Sequence, residues 1–256
     1  MAQTRPETIR SILVLGGSSE LGVAIAGRLA QHPEASVVLA GRTPQALERA
    51  AARLRHSGVC TVHTLSFEAL APETHQDVLL AASHLCGDRL DVVVVAFGVL
   101  GEGEGDLHNP AAAARLAAVN YGAAMSASLA AADLLRGQRD GTIVIISSVA
   151  AVRLRHKNFI YSSTKVATDR FAQGLAQLLR ASGVRVVIVR PGFVPTQMTA
   201  GRKPPPVLVS TPAAVAQATA RALAAGSECA WSPRVFRYLA PVIRMLPRCL
   251  WSRIAF

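Results

Sequence analysis

Aromatic residues, cysteines and long apolar runs are all scarce in this chain. Aromatic side chains make up 5% of the 256 residues, and no nucleic-acid-binding motif accompanies them, so we expect no nucleic-acid partner. The four cysteines have neither metal-ligand spacing nor the density of a disulfide scaffold, which predicts no metal site and a reducing compartment. We expect all four to be small buried side chains.

Acidic residues are also few, with 16 against 27 lysines and arginines, for a net charge of +11. A positive balance of this size favours partners that carry phosphate, or an anionic membrane surface. The first apolar run covers only residues 12–15, which is too short for a signal peptide, and no segment is long enough to span a bilayer. These features favour a cytoplasmic location, with export in a complex with a partner as the alternative.

Short apolar runs rich in β-branched residues alternate with longer stretches rich in alanine and leucine. This alternation is typical of an α/β fold with a parallel sheet and helices on both faces. The predicted strands cover residues 11–15, 36–40, 59–65, 91–95, 142–147, 185–190 and 228–231. Long helices are predicted over residues 110–136 and 159–182. We therefore predict a single Rossmann-like doubly wound domain over residues 1–230, with a mobile substrate loop at 196–212 that contains the proline-rich stretch 203–206.

A glycine-rich turn follows the first predicted strand and begins a helix, with the sequence Leu-Gly-Gly-Ser-Ser-Glu-Leu-Gly over residues 15–22. Gly16 permits the tight turn, Gly22 lets the helix approach the sheet, and the free N–H groups at the start of a helix attract a pyrophosphate. Such turns also serve packing alone, but the position in a βαβ unit favours a dinucleotide cofactor. The turn residues predicted to bind it are Gly16, Ser18, Ser19, Glu20, Leu21 and Gly22.

Arg42 stands at the end of the second predicted strand, where enzymes that prefer NAD often carry a carboxylate for the ribose hydroxyls. A guanidinium at this position suits the additional 2′-phosphate of NADP. The residues therefore favour NADPH, and the alternative is an exposed arginine without a ligand.

Ser148, Tyr161 and Lys165 form the pattern that most directly indicates a reaction. The spacing of four residues places Tyr161 and Lys165 on one face of a predicted helix. There the ammonium can stabilise a phenolate and lower the tyrosine pKa from about 10, which allows proton exchange with an alcohol or ketone oxygen. Ser148 follows the fifth predicted strand and would face the same oxygen, as in a carbonyl reductase. Without that context, the same spacing more often reflects a packed aromatic and a solvated cation.

These elements together resemble the short-chain dehydrogenase/reductase family over nearly the whole chain. The resemblance implies that Tyr161 is the acid/base, that Ser148 polarises the carbonyl and that Lys165 holds the nicotinamide ribose. It also implies a water relay at Asn120. The further cofactor contacts, in addition to Tyr161 and Lys165, are Phe67, Ala96, Phe97, Gly98, Pro191, Gly192, Val194 and Thr196.

Three positions depart from the usual family pattern. Glu20 replaces the middle glycine of the turn, residues 95–98 read Val-Ala-Phe-Gly in place of Asn-Asn-Ala-Gly, and Ser66 replaces an aspartate that contacts adenine. Residues 15–22, 95–101 and 231–238 are similar instead to an actinobacterial subgroup that reduces decaprenylphosphoryl 2-keto-ribose.

The resemblance to this subgroup implies a substrate, a partner and a cofactor. The substrate would be the 2-keto group of a polyprenyl-phosphoryl pentofuranose, whose reduction yields the arabinose donor for cell-wall arabinan. A flavin-dependent decaprenylphosphoryl-ribose oxidase would supply it, and NADH would be the usual reductant, in contrast to the NADPH that Arg42 favours. Two alternatives stay open: a reductase of another lipid, steroid or acyl ketone, and a non-catalytic membrane scaffold for the oxidase.

Basic residues lie between the predicted catalytic serine and tyrosine, at Arg153, Arg155 and Lys157, with His156 among them. Cations at the mouth of the site would suit a phosphate on the substrate. The alternative is a solvated basic loop.

Residues 231–256 form a basic amphipathic C-terminal tail. From residue 234 onward it has no acidic residue, and its arginines are Arg234, Arg237, Arg244, Arg248 and Arg253. Such a segment can lie in a membrane interface with its apolar face down, although Pro241 and Pro247 argue against one straight helix. We therefore predict a peripheral protein of the plasma membrane, on its cytoplasmic side or, alternatively, outside it. The other interpretation is packing of the tail on the core or on a second subunit of a homo-oligomer.

Overall fold

The computed structural model describes residues 8–154, 156–201, 209–247 and 251, all but Glu104 and Lys157 with their side chains. Some sequence-based expectations lie outside these residues. They concern Arg155, the side chain of Lys157, the proline-rich stretch 203–206, Arg248, Cys249 and Arg253.

The described residues form seven strands that pair in parallel in one sheet. The strands are β1 (Ser11–Leu15), β2 (Ser36–Gly41), β3 (Thr61–Ser66), β4 (Val92–Val95), β5 (Gly141–Ile146), β6 (Val184–Pro191) and β7 (Cys229–Ser232). Their order across the sheet is β3-β2-β1-β4-β5-β6-β7. Each strand begins and ends within two residues of its prediction.

Helices follow the strands and cover the sheet. They are α1 (Glu20–Leu29), α2 (Pro44–His56), α3 (His75–Leu85), α4 (Pro110–Ala117), α5 (Ala124–Gln138), α6 (Phe159–Leu179), α7 (Pro212–Ala224) and α8 (Phe236–Met245). A π-helical turn, Ala118–Ala123, joins α4 to α5, so the helix predicted over residues 110–136 is widened in its middle. Within the described ranges, no helix has both the length and the apolar content that a bilayer crossing requires.

Strand side chains alternate between two apolar cores, one on each face of the sheet. Ile12 and Val14 of β1 belong to the core that includes α1, α2 and α7, whereas Leu13 and Leu15 belong to the core that includes α3, α5 and α6. All four are fully buried, and burying such a side chain contributes about 1.5–3 kcal/mol. Burial on both faces explains why the central strand β4 is a continuous apolar run. The predicted doubly wound parallel sheet is therefore confirmed.

The chain order reverses between β1 and β4, which are neighbours in the sheet. In doubly wound sheets a crevice opens at such a point, outside the carboxyl ends of the strands. The chain leaves β1, β4 and β5 at Gly16, Ala96 and Ser147. The predicted functional segments therefore begin at one edge of the sheet.

β7 ends at Ser232, and the division of the chain at residue 230 stays a prediction. One other expectation needs correction. The cysteines are not uniformly buried, because Cys60 is exposed in the turn that leads into β3, and Cys86 and Cys229 are partly exposed. The sulfur of Cys229 accepts a hydrogen bond from Arg190 at 3.0 Å.

Candidate active site

The glycine-rich turn between β1 and α1 packs against the neighbouring strands. The N–H of Gly16 donates to Ala40 O at 2.9 Å. Gly16 has a φ of +88°, and a Cβ at this position would lie 2.6 Å from Phe97 N, so the fold excludes a side chain here. Ser19 caps α1 by accepting the N–H of Gly22 at 3.3 Å. The turn therefore places the start of α1 at the crevice.

A cavity of about 470 Å³ opens at this edge of the sheet. The predicted cofactor residues that line it are Gly16, Ser18, Ser19, Glu20, Leu21, Arg42, Phe67, Ala96, Phe97, Gly98 and Thr196. Gly22 lies behind the turn, where a Cβ would meet Ala96 Cβ at 2.8 Å. Pro191, Gly192 and Val194 lie at and after the end of β6 and do not line this cavity.

The loop after β4 and helix α4 also border the cavity, and sequence reasoning missed them. Their lining residues include Gly101, Glu102, Asp106, Arg115 and Leu116, and Val119 of the π-helical turn lies beside them. The buried carboxylate of Asp106 accepts the N–H groups of Glu102 and Gly103 at 3.0 and 3.1 Å, which shapes this loop. No local pattern marks these residues, because their position depends on the path of the loop around the cavity.

Ser148 and Lys165 lie at the carboxyl end of β5, and the Tyr161 ring lies beside Lys165. The Lys165 ammonium donates to Ile146 O at 3.0 Å and lies 5.9 Å from the centroid of the Tyr161 ring. Ser148 is buried two residues beyond Ile146, and its Oγ accepts the N–H of Ala150 at 3.1 Å. Lys165 thus lies between the end of β5 and the Tyr161 ring, and none of the three residues is among those that line the cavity.

Lys165 carries its charge in a buried position. The residue is 6% exposed, and burial lowers the pKa of its ammonium from 10.5 to about 8. At pH 7 a group with this pKa is mostly protonated. Its positive charge then lies beside the Tyr161 ring.

Asn120 is buried in the π-helical turn between α4 and α5. Its Oδ1 accepts the N–H of Val99 at 2.8 Å, and its Nδ2 donates to Val99 O at 2.8 Å and to Thr164 Oγ1 at 3.2 Å. A Cβ at Gly98 would lie 3.1 Å from Asn120 Oδ1 and 3.8 Å from Lys165 Nζ. Gly98 lines the cavity, so Asn120 and Lys165 lie directly behind this part of the cavity wall. Such π turns are frequent at functional sites, although no sequence signal predicts this one.

A buried ion pair lies one helical turn beyond Lys165. Arg190 Nε and Nη2 donate to the two carboxylate oxygens of Asp169 at 2.7 and 2.9 Å. Ser147 Oγ donates to the same carboxylate at 2.8 Å, so the pair connects α6 to the ends of β5 and β6. Burial alone would raise the pKa of Asp169, but the hydrogen bonds and positive charge of Arg190 outweigh it and lower the pKa.

A model of the short chain dehydrogenase family matches residues 10–206. The chain belongs to the short-chain dehydrogenase family. Over 245 residues it is 42% identical to an uncharacterized oxidoreductase in the mprA 5′ region of Streptomyces coelicolor, and the match covers 96% of each chain. An uncharacterized oxidoreductase of Mycobacterium tuberculosis strain H37Rv is 39% identical over 245 residues, covering 95% of this chain and 96% of the relative. The predicted family and the predicted oxidoreductase class are confirmed.

Solved short-chain dehydrogenases share the fold. One from Burkholderia cenocepacia J2315, solved with NADP, has a TM-score of 0.80 and 20% identity, covering 99% of this chain and 100% of that chain. Another from Burkholderia phymatum, solved with NAD, has a TM-score of 0.78 and 20% identity, covering 92% and 93%. At this level of identity the likeness establishes the Rossmann-like fold.

Two arginines of this short-chain dehydrogenase have different surroundings. Arg42 is exposed at the end of β2 and lines the cavity. Arg153, which the sequence suggested as a ligand for a substrate phosphate, instead donates through Nη1 to Ile243 O and Leu246 O, at 2.6 and 2.5 Å. Its guanidinium therefore contacts the C-terminal tail, because the chain returns to this loop after β7.

Proposed function

We propose that this short-chain dehydrogenase reduces the 2-keto group of a polyprenyl-phosphoryl pentofuranose, like the decaprenylphosphoryl-2-keto-ribose reductases, and forms the arabinose donor for cell-wall arabinan. One observation carries the reaction type: the Lys165 ammonium lies 5.9 Å from the Tyr161 ring and directly behind Gly98, which lines a cavity of about 470 Å³. The substrate class is supported by the similarity of residues 15–22, 95–101 and 231–238 to that subgroup.

The cavity suits NADPH or NADH. Its lining includes the start of α1, whose unpaired N–H groups suit a pyrophosphate, and the apolar rings of Phe67 and Phe97. When bound, a nicotinamide cofactor supplies the hydride for the carbonyl carbon. Arg42 at the end of β2 favours the 2′-phosphate of NADPH, whereas the resemblance to the subgroup favours NADH. Solved relatives contain NADP in one case and NAD in another.

Side chains of the protein transfer the proton that the carbonyl oxygen needs. Tyr161 gives its hydroxyl proton to the carbonyl oxygen as negative charge develops there. Within the described part of the chain, Ser148 Oγ accepts the Ala150 N–H, so its own hydrogen can be donated to the same oxygen, a contact worth about 3 kcal/mol in comparable sites. The Lys165 ammonium, 5.9 Å from the ring centroid, stabilises the resulting phenolate by about 3 kcal/mol at an effective dielectric constant of about 20.

Tyr161 must regain its proton before the next turnover. The water relay that the family places at the asparagine fits the position of Asn120, which lies next to Lys165 behind Gly98. Three hydrogen bonds to Val99 and Thr164 hold the Asn120 side chain in this position.

The surface of α8 supports attachment to a membrane. Phe236 and Ala240 are buried against the core, at 4% and 3% exposure. The opposite face exposes the large apolar side chains Val235, Tyr238, Leu239, Val242 and Met245. The exposed arginines in and beside the helix are Arg234, Arg237 and Arg244. This combination suits the interface of an anionic bilayer. We expect attachment to the cytoplasmic side of the plasma membrane beside the flavin-dependent oxidase, with the outer side or a second subunit of a homo-oligomer as alternatives.

The test is turnover of the purified protein with the keto-sugar lipid and NADPH or NADH, in the presence and absence of the oxidase. Tyr161→Phe should lower kcat at least about a hundredfold, because it removes the proton donor, and should leave cofactor affinity largely intact, because the ring that contacts the cofactor remains. Ser163→Ala, which removes an exposed hydroxyl from the same helix, is the matched control and should keep full activity. Turnover that survives in Tyr161→Phe would show that the proton donor is another group.

Substrate comparison separates the alternatives. Reduction of steroid or acyl ketones without reduction of the keto-sugar lipid would favour a reductase of another lipid class. Absence of NADPH and NADH oxidation with every ketone would favour a scaffold that organises the oxidase.

A further inference from the structure

The loop that connects Ser148 to Tyr161 is bound to the C-terminal tail by reciprocal side-chain contacts. Arg153 of the loop donates through Nη1 to the carbonyl oxygens of Ile243 and Leu246, at 2.6 and 2.5 Å. In return, Trp251 of the tail donates through Nε1 to the carbonyl oxygen of Leu154 at 2.7 Å. Each segment thus uses a side chain to bind the backbone of the other.

The end of α8 explains why an arginine binds there. An α-helix leaves its last carbonyl groups without partners inside the helix. Pro247 has no N–H, so it cannot pair with the carbonyl of Ile243 four residues earlier. The Arg153 guanidinium fills this position and also places a positive charge at the negative end of the helix dipole.

Trp251 adds a third contact to the same guanidinium. Arg153 Cζ lies 5.0 Å from the centroid of the indole ring, within the range of a cation–π interaction. Phe236, at the other end of α8, is buried against the core. The described part of the tail is therefore anchored at both ends, and one of these anchors is the loop that begins at Ser148.

We propose that Arg153 is a positioning residue, and that the tail forms part of the wall of the substrate site by holding loop residues 149–154 in place. This inference rests on the proposed ketoreductase function. A ketone held by Ser148 and Tyr161 must lie next to the chain that joins them, so the position of this loop affects large substrates more than small ones. Arg153 then binds the tail and does not bind a substrate phosphate.

Tryptophan fluorescence tests the contact without any substrate. The chain has two tryptophans, so Trp251 is the single reporter in a Trp231→Phe background. In that background Arg153→Ala should at least double the quenching of Trp251 by acrylamide, while Arg153→Lys, which keeps the charge and a donor, should restore part of the protection. Arg170→Ala, which removes an exposed arginine of α6, should change nothing.

Kinetics test the role in the substrate site. Arg153→Ala and Trp251→Phe should each raise the KM for the keto-sugar lipid about fivefold, with kcat, NADPH affinity and the KM for a small ketone changed less than about twofold. A different result would show that Arg153 is a phosphate ligand and that the proposal is wrong. In that result Arg153→Ala raises the KM but leaves the acrylamide quenching of Trp251 unchanged, and Trp251→Phe does not change the KM. Unchanged kinetics in both variants would also overturn the proposal.

Two further results must be distinguished: a variant that does not fold and a wild-type protein that reduces no ketone. If Arg153→Ala does not fold, Arg153→Lys and Trp251→Phe test the same contacts. If the wild-type protein reduces no ketone, the proposed function fails. The acrylamide quenching of Trp251 in Arg153→Ala then still decides whether Arg153 joins the loop to the tail.

Discussion

Replacing Lys165 by methionine tests the electrostatics of the site through protein stability. The residue is 6% exposed, and burial lowers the pKa of its ammonium from 10.5 to about 8. At about 1.4 kcal/mol per pKa unit, this difference corresponds to about 3 kcal/mol of folding free energy. The destabilisation is complete below pH 8, where the folded protein binds the proton. It disappears as the pH rises from 8 to 10.5, because over that interval the unfolded chain keeps the proton and the folded chain does not.

Lys165→Met removes the charge and keeps an unbranched side chain in the buried position. It also removes the hydrogen bond to Ile146 O, which contributes about 1 kcal/mol. We therefore expect the free energy of unfolding at pH 7 to be about 2 kcal/mol higher in the variant, or its Tm about 4–8 °C higher. Near pH 10 the difference in the free energy of unfolding between variant and wild type should vanish or reverse, because Lys165 of the folded wild-type protein is then mostly neutral.

The assay is thermal and urea unfolding of the cofactor-free protein, followed by circular dichroism from about pH 6.5 to pH 10. Arg170→Met, an exchange on the exposed side of the same helix, is the control and should show no such pH-dependent difference. A Lys165→Met variant that is less stable than wild type at pH 7, or a stability difference that does not change with pH, would refute the reasoning. Activity of the variant should be lost, since the phenolate would lack its counter-charge.

The buried ion pair and the cofactor cavity lead to two more predictions. Asp169→Asn should lower the free energy of unfolding at pH 7 by about 3–5 kcal/mol, because Arg190 is then buried without its counter-charge. The pKa of Asp169 is lowered from 3.8 in the folded state, so the difference should shrink only as the pH falls below 3.8 and acid protonates the wild-type carboxylate. Urea titrations at pH 7 and at several pH values below 3.8 measure both effects. Arg42→Ala should raise the KM for NADPH about tenfold and that for NADH less than about twofold. Equal losses with the two cofactors in steady-state assays would contradict a role for Arg42 at the 2′-phosphate.

Local patterns were sufficient for the strands and for the spacing of Tyr161 and Lys165. β4 is a run of four valines buried on both faces of the sheet, and such a run predicts a central strand wherever it occurs in an α/β chain. Tyr161 and Lys165 lie four residues apart in one helix, so helical geometry alone brings them to the same face. The turn at Gly16 was recognisable because few residues other than glycine adopt a positive φ.

Long-range partners could not be predicted in the same way. Arg190 and Asp169 are 21 residues apart, and Arg153 and Ile243 are 90 residues apart. A guanidinium is satisfied by a carboxylate, a phosphate, a backbone carbonyl or water, so the residue type does not indicate its partner. The position of Arg153 between Ser148 and Tyr161 therefore suggests a substrate phosphate, whereas the fold places its guanidinium at the end of α8.

The strand positions, the glycine-rich turn and the spacing of Tyr161 and Lys165 follow from the amino-acid sequence, because each depends on neighbours within one or two turns of the chain. Which polar groups lose their contact with water follows from the tertiary fold. The pKa of Lys165, the pairing of Asp169 with Arg190 and the two faces of α8 all follow from that burial. Burial depends on segments that are distant in the sequence, and the energetic cost of removing a charge from water then determines what each charged group can do.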